Sequence, residues 1–372
     1  MIFGGASTFS KMHCNYPDGF PEYFECCEGQ YLIDNSRNRY FDTVSALGAQ
    51  LIDYRNGGMM SLPCSTEKEL AEILKQKMPF IEMVRYGNNG ADTSEGALRY
   101  ARAHTGKKWI LSYGYHSCQS AFTNQTPPAL GCVEGFIRQF ETLDLLLSWM
   151  NVNEINDIAG IIVEPVILDL NVKRELETLR KITAQKGIVL IFDEIITGFR
   201  VPEFCISNWF KIFPDIILLG KGIGGGYPLS IIGGRKEIMN KPVFISYTFA
   251  GFPEAIDRAL FVCTTSNDDI LKLWETSGKF IHEFNEFSFG VKLKGYNTRC
   301  IWDGPRELVY TFWQEMLKKK VFLGPVFFPK LTWTEEIFKS LLITFSECIH
   351  DIKSNNITLS GHMPEPIFKR NT

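Results

Sequence analysis

Between positions 83 and 219 the chain alternates short apolar runs with helix-like stretches, and this rhythm constrains the fold more than any other feature. Runs over 83–87, 109–113, 158–163, 188–192 and 216–219 read as strands, and 93–104, 143–150, 174–185 and 206–212 read as helices. The runs 158–163 and 188–192 carry no polar side chain. A strand that is apolar on both sides must be covered on both sides, which calls for a mostly parallel sheet between layers of helix. Upstream, residues 28–50 alternate around Asp34-Asn35-Ser36-Arg37-Asn38, a hairpin with a polar turn. Thr66-Glu67-Lys68-Glu69 is a capping-box pattern opening a helix that Pro79 ends. Beyond about 268 the texture becomes α+β: a helix over 270–284, an alternating stretch over 291–303, a helix over 306–319, a strand over 321–328 and a helix over 334–352, followed by a polar tail. The expected organisation is an N-terminal segment and hairpin (1–55), a large α/β domain (56–265) and a small C-terminal domain (266–372).

Composition narrows the function classes. With 45% hydrophobic and 22% charged residues, the 372-residue chain is not a disordered segment, a fibre or a coiled-coil rod. A net charge of −3 gives no general attraction for nucleic acid or an anionic membrane. No apolar run approaches the roughly 20 residues of a membrane span. The first residues lack the basic-then-apolar pattern of a signal peptide. Ten cysteines show no C-x-x-C and no zinc-type spacing with histidine, so reduced thiols, a cytoplasmic location and no metal site are expected. The 13% aromatic content fits a bulky core and a large oligomer interface.

Ligands in open α/β sheets bind beyond the carboxyl ends of the strands, and polar residues gather there. The run 216–219 leads into Gly220-Lys221-Gly222-Ile223-Gly224-Gly225-Gly226. A P-loop needs Ser or Thr after the lysine, and the dinucleotide fingerprint needs a glycine where Tyr227 stands, so neither phosphate loop fits. A lysine at this strand end suits Schiff-base chemistry, although a surface lysine reads equally simply. Asp193 follows an apolar run and needs a partner, either a protonated ring nitrogen or an ordinary salt bridge. Asn88-Asn89-Gly90-Ala91-Asp92-Thr93 opens a helix, as a phosphate site or as plain capping. Tyr115 and His116 offer rings to a flat cofactor, or simply close a sheet edge.

In order along the chain, these residues resemble the class III aminotransferases, the pyridoxal 5′-phosphate (PLP) enzymes of fold type I, and most of all the glutamate-1-semialdehyde 2,1-aminomutase type. The resemblance rests on 191–200 (Ile-Phe-Asp-Glu-Ile-Ile-Thr-Gly-Phe-Arg), Pro214-Asp215, 220–228, Gly233-Gly234-Arg235, the hairpin pattern from Asp34 to Asp42, Phe3-Gly4-Gly5-Ala6-Ser7-Thr8 and 248–253. It implies that Lys221 holds PLP as a Schiff base and shuttles protons, that Asp193 pairs with the ring nitrogen, and that Tyr115 and Ile195 sandwich the ring. It places Asn89, Gly90, Ala91 and Asp92 at the phosphate, with His116 and Glu164 at the cofactor and Thr248 reaching the cofactor phosphate of a second subunit in a homodimer. Lys221, Asp193 and Tyr115 are then the catalytic set, and Ser7 and Thr8 face substrate. Departures fall at Ala91, where relatives carry a hydroxyl that Thr93 could replace, at Ser117, Ala250 and Phe252, and in the shortened stretches after Pro165 and around 126–131. Arg299 is the one candidate for a carboxylate-binding arginine. The implied activity is transamination of a small carbonyl acceptor, with an aminomutase, an epimerase or racemase, and a non-catalytic binding protein as alternatives.

Overall fold

The structure is a computed structural model that describes residues 16–21, 26–34, 36–45, 65–123, 129–133, 135–245, 247 and 249–364. Its strands in chain order are β1 (Cys26–Glu28), β2 (Tyr31–Ile33), β3 (Arg39–Asp42), β4 (Met83–Gly87), β5 (Trp109–Tyr113), β6 (Ile137–Phe140), β7 (Ile158–Val163), β8 (Val189–Asp193), β9 (Ile216–Gly220), β10 (Ser230–Gly234), β11 (Lys292–Tyr296), β12 (Arg299–Asp303), β13 (Val321–Phe322) and β14 (Val326–Phe327). The chain divides into two compact units, one built from 1–54 with 271–370 and the other from 55–270.

The larger unit is organised by a seven-stranded sheet of order β4-β10-β9-β8-β7-β5-β6. The pairs β5·β6, β5·β7, β7·β8 and β8·β9 are parallel. Only β10 runs against its neighbours, antiparallel to both β9 and β4, so β4 points the same way as the rest. Every residue of β7, β8, β9 and β10 is buried, as the largely apolar sequences of β7, β8 and β9 require. Helix Gly90–Thr105 covers one face, placing Ala97, Leu98 and Ala101 in a core with Ile110, Ile162, Val189 and Ile232. Close approach there needs Gly96, since a Cβ would meet Ile232 Cδ1 at 2.6 Å. At the amino ends of the strands, Asp215 accepts from Leu190 N (2.9 Å), Arg180 Nη1 (3.0 Å) and Arg235 Nη1 (3.0 Å), which ties β8 to β9 and fixes the start of the helix Lys236–Met239.

The smaller unit holds two sheets. One has the order β1-β2-β3-β13 and the other β11-β12-β14. The hairpin turn at Asp34 forms as expected: its Oδ1 accepts from Ser36 N and Asn38 N at 3.0 and 2.8 Å. The single strand expected over 321–328 is instead two. Gly324-Pro325 interrupts it, β13 pairs with β3, and β14 pairs with β12. A proline lacks the N–H a ladder needs, which explains the break. Helices Asn267–Phe287, Arg306–Lys318 and Glu335–Asn355 enclose much of the aromatic content. Phe345, fully buried, has ring centroids of Phe284, Phe312, Phe280 and Trp302 at 5.2, 5.3, 5.6 and 6.1 Å. No helix among the described residues is long and apolar enough to cross a membrane.

Removing this central ring leaves a cavity between three helices and a sheet. Phe345→Ala is expected to destabilise the smaller unit by about 3–5 kcal/mol, read as an earlier midpoint in urea unfolding followed by tryptophan fluorescence. A midpoint within experimental error of the wild type would contradict this packing.

Candidate active site

The antiparallel β10 sets the site's geometry. Its first residue, Ser230, lies opposite both Gly87 at the end of β4 and Gly220 at the end of β9. Two strand spacings therefore separate those ends, about 10 Å. Gly87 leads into Asn88, Asn89 and the amino terminus of helix Gly90–Thr105; Gly220 leads into Lys221. Ser230 Oγ donates to Asn89 O at 2.6 Å and pins the junction. On the other side of β9, Asp193 stands opposite Leu218, Phe192 opposite Val163, and Val163 opposite Tyr113. Lys221, Asp193, Glu164 and the turn Gly114-Tyr115-His116 therefore leave the sheet along one rim.

Lys221 is half-buried and opens a short 3-10 turn, Lys221–Gly224, with φ of +46°. A lysine in the left-handed region is strained, and such strain persists only where the surroundings impose it. The glycine run thus shapes the backbone around the lysine and does not form a phosphate loop.

Asp193 is 5% exposed and is the last residue of β8, one position inside the strand. Its Oδ1 accepts from Ile195 N at 3.1 Å, and its Oδ2 lies 2.7 Å from His116 Nδ1. His116 Nε2 faces Tyr113 O at 3.1 Å. Which ring nitrogen donates in these two contacts depends on the tautomer of the imidazole. The His116 ring, which the resemblance places at the cofactor, is fully buried and lies against Asp193. The carboxylate still has unused lone pairs for a further donor.

Tyr115 is 43% exposed, with its N–H donating to Glu164 Oε1 at 2.6 Å. The Glu164 side chain is buried and turns back onto this loop. Asn89 caps the helix by accepting from Asp92 N at 3.1 Å, while Asp92 Oδ2 accepts from Asn88 N at 3.0 Å. Ser94 Oγ donates to His116 O at 2.8 Å, and Tyr247 Oη donates to Asp92 O at 2.9 Å, so the helix start is tied to its surroundings. The hydroxyl of Thr93, a candidate to replace the one missing at Ala91, is buried and donates to Gly90 O at 3.1 Å. Ile195 fills the space between two glycines: a Cβ on Gly90 would meet its Cδ1 at 2.7 Å, and one on Gly220 its Cγ2 at 3.2 Å.

Next to Asp193, Glu194 is wholly buried. It accepts from Thr197 Oγ1 (2.7 Å), Ile206 N (2.6 Å), Ser207 N (2.8 Å) and Ser207 Oγ (2.6 Å). Burial pushes its carboxyl up, and the four hydrogen bonds pull the other way. This clamp closes the loop that carries Ile195. Ser7, Thr8 and Thr248 lie outside the described residues. Arg299 belongs to the smaller unit and is 6% exposed; its Nε and Nη1 have no hydrogen-bond partner among the described residues. Sequence reading missed Ser230 and Ser94. Their only signal is a small hydroxyl residue beside a strand or helix start, which is too common to single out.

Residues 134–269 match the sequence model of the family "Aminotransferase class-III". This stretch of the chain is similar to a class III aminotransferase domain. The glutamate-1-semialdehyde 2,1-aminomutase of Halobacterium salinarum is 31% identical over 281 residues, covering 66% of this chain and 63% of that protein, so the chain spans less than two thirds of this relative. The enzyme of the same name from Francisella philomiragia is 29% identical over 343 residues, covering 79% of this chain and 78% of its own. Among solved structures, the PLP internal aldimine form of the FumI protein of Sphingopyxis sp. MTA144 superimposes with a TM-score of 0.83 at 21% identity, covering 96% of this chain and 94% of that one. The fold is that of the fold type I PLP-dependent transaminases.

The family model that residues 134–269 match points to pyridoxal 5′-phosphate as the cofactor. The residues along this rim fit it. The side-chain oxygen of Asn88 is buried without a hydrogen-bond partner among the described residues, beside the capped helix start, as expected of a polar group waiting for a ligand. Asp193 keeps acceptor capacity for a ring N–H, and an exposed aromatic ring stands on the same rim. The loop that carries Ile195 depends on Glu194. Glu194→Gln would turn an NH2 group toward donors and is expected to cost about 2 kcal/mol or more, measured as a lower thermal midpoint. An unchanged midpoint would remove Glu194 from this role.

Proposed function

We propose that the protein is a PLP-dependent aminotransferase that moves an amino group from an amine or amino-acid donor to a small keto or aldehyde acceptor. The observation that carries this reading is the convergence of a strained lysine, a histidine-held aspartate and a helix start on one rim of the sheet. Bound there, PLP supplies an electron sink for negative charge at the substrate carbon. Lys221 anchors the cofactor through its amine and carries the proton to and from the substrate carbon. Asp193, held by His116, keeps the ring nitrogen protonated. Tyr115 and Ile195 enclose the ring, and Asn89, Gly90, Ala91 and Asp92 receive the phosphate at a helix amino terminus, where N–H groups and the dipole favour an anion.

A homodimer and a cytoplasmic location belong to the same reading, with Thr248 contributed across the interface and Ser7 and Thr8 toward substrate. The exposed rings of Phe244, Phe249 and Phe261 (77%, 58% and 55%) support a second copy covering this stretch. Size-exclusion chromatography with light scattering tests it; a monomer at working concentration would refute it.

A second reading, the 2,1-aminomutase, is favoured by the names of the curated relatives. It uses the same residues and moves the amino group between adjacent carbons of one molecule. The two readings part on adding substrates to the PLP-loaded protein. Loss of the visible band with an amine alone and release of a carbonyl product marks transamination; net isomerisation without an added acceptor marks the aminomutase. Lys221→Ala is expected to abolish the visible absorbance of bound PLP. Asp193→Ala is expected to retain some PLP while turnover falls by about two orders of magnitude or more. A protein that stays colourless with PLP, or full activity in Asp193→Ala, would overturn these assignments.

A further inference from the structure

Resting on the cofactor reading above, we propose that Glu164 is a positioning residue for Tyr115: its buried carboxylate grips the Tyr115 backbone and so sets the height and tilt of the Tyr115 ring over the cofactor. Glu164 follows the last residue of β7, and its N–H donates to Tyr113 O at 3.0 Å, extending the pairing with β5 by one residue. The side chain then folds back, and Oε1 accepts from Tyr115 N at 2.6 Å. One residue thus holds positions 113 and 115 on either side of Gly114.

Gly114 confirms how closely the carboxylate fits. Its φ is +106°, and a Cβ there would lie 2.9 Å from both Cγ and Oε1 of Glu164. The glutamate occupies the space that the missing side chain leaves. Beyond Tyr115, the turn is anchored again through His116, whose carbonyl accepts from Ser94 Oγ at 2.8 Å. The Tyr115 ring itself is more than a third exposed, so packing alone does not set its angle. A carboxylate 4% exposed is a costly group at a strand end, and a charge-assisted bond to a backbone N–H is a stiff restraint. The carboxylate thus acts on the cofactor through Tyr115.

The test loads wild type, Glu164→Gln, Glu164→Ala, Tyr115→Leu and the Glu164→Ala/Tyr115→Leu double variant with PLP. Each is followed by equilibrium dialysis and by circular dichroism in the visible cofactor band. Glu164→Gln keeps an acceptor oxygen and is expected to bind PLP close to wild type. Glu164→Ala is expected to bind roughly tenfold more weakly and to lose induced dichroism as Tyr115→Leu does. The double variant is expected to be no worse than Tyr115→Leu alone, because both changes act on one ring. Wild-type affinity and dichroism in Glu164→Ala, or losses that add in the double variant, would overturn the proposal. Where Glu164→Ala fails to fold, Glu164→Asp replaces it: the charge is kept, the reach is shortened, and the same loss is expected. If the wild type binds no PLP with Lys221-dependent absorbance, the cofactor reading itself fails, a result distinct from all of these.

Discussion

The contact on which the site depends is the one between Asp193 and His116. A carboxyl group at the end of a wholly buried strand is costly unless something holds it. Here a buried imidazole 2.7 Å away does so, with its second nitrogen braced on the backbone of Tyr113. That one bond joins β8 to the turn after β5, across the intervening β7. It fixes the loop on which Tyr115 sits and leaves the free lone pairs of Asp193 in a set direction. Glu194 secures the other side of the same residue by gathering two hydroxyls and two backbone N–H groups from 197–207. Between these two restraints Asp193 and Ile195 have little freedom to move, so the rim that the proposed cofactor would use is already ordered.

The sheet was legible where its strands are apolar throughout. The runs at 109–113 and 158–163 become β5 and β7 with unchanged limits. Two strands escaped notice. The sequence of β10 is Ser-Ile-Ile-Gly-Gly, too short and too rich in glycine to signal a strand, and β6, Ile-Arg-Gln-Phe, is a partly polar edge strand. The omission of β10 matters most, because only its antiparallel course brings the helix start beside Lys221. The helix itself begins at Gly90, three residues before the apolar pattern suggests, since capping by Asn89 makes up for weak helix formers there.

The site was legible in its parts and less so in its pairings. Lys221 and Asp193 stand at strand ends, as expected from their places after apolar runs. That His116 serves Asp193, 77 residues away, follows only from the sheet order β5-β7-β8. The resemblance puts Glu164 at the cofactor without naming a partner for it, and its grip on Tyr115 spans 49 residues. Local patterns report which residue types leave a strand; register and strand order decide which of them meet.

The left-handed backbone at Lys221 has a consequence for how this protein responds to change. A lysine in that conformation costs about 1 kcal/mol or more relative to glycine, so the chain is less stable with the residue that the proposed chemistry needs. Glycine at 221 would relax the turn while removing the amine. A selection or screen that rewards only folded yield would therefore drift toward loss of the lysine. At this position, thermal robustness and chemical competence pull in opposite directions.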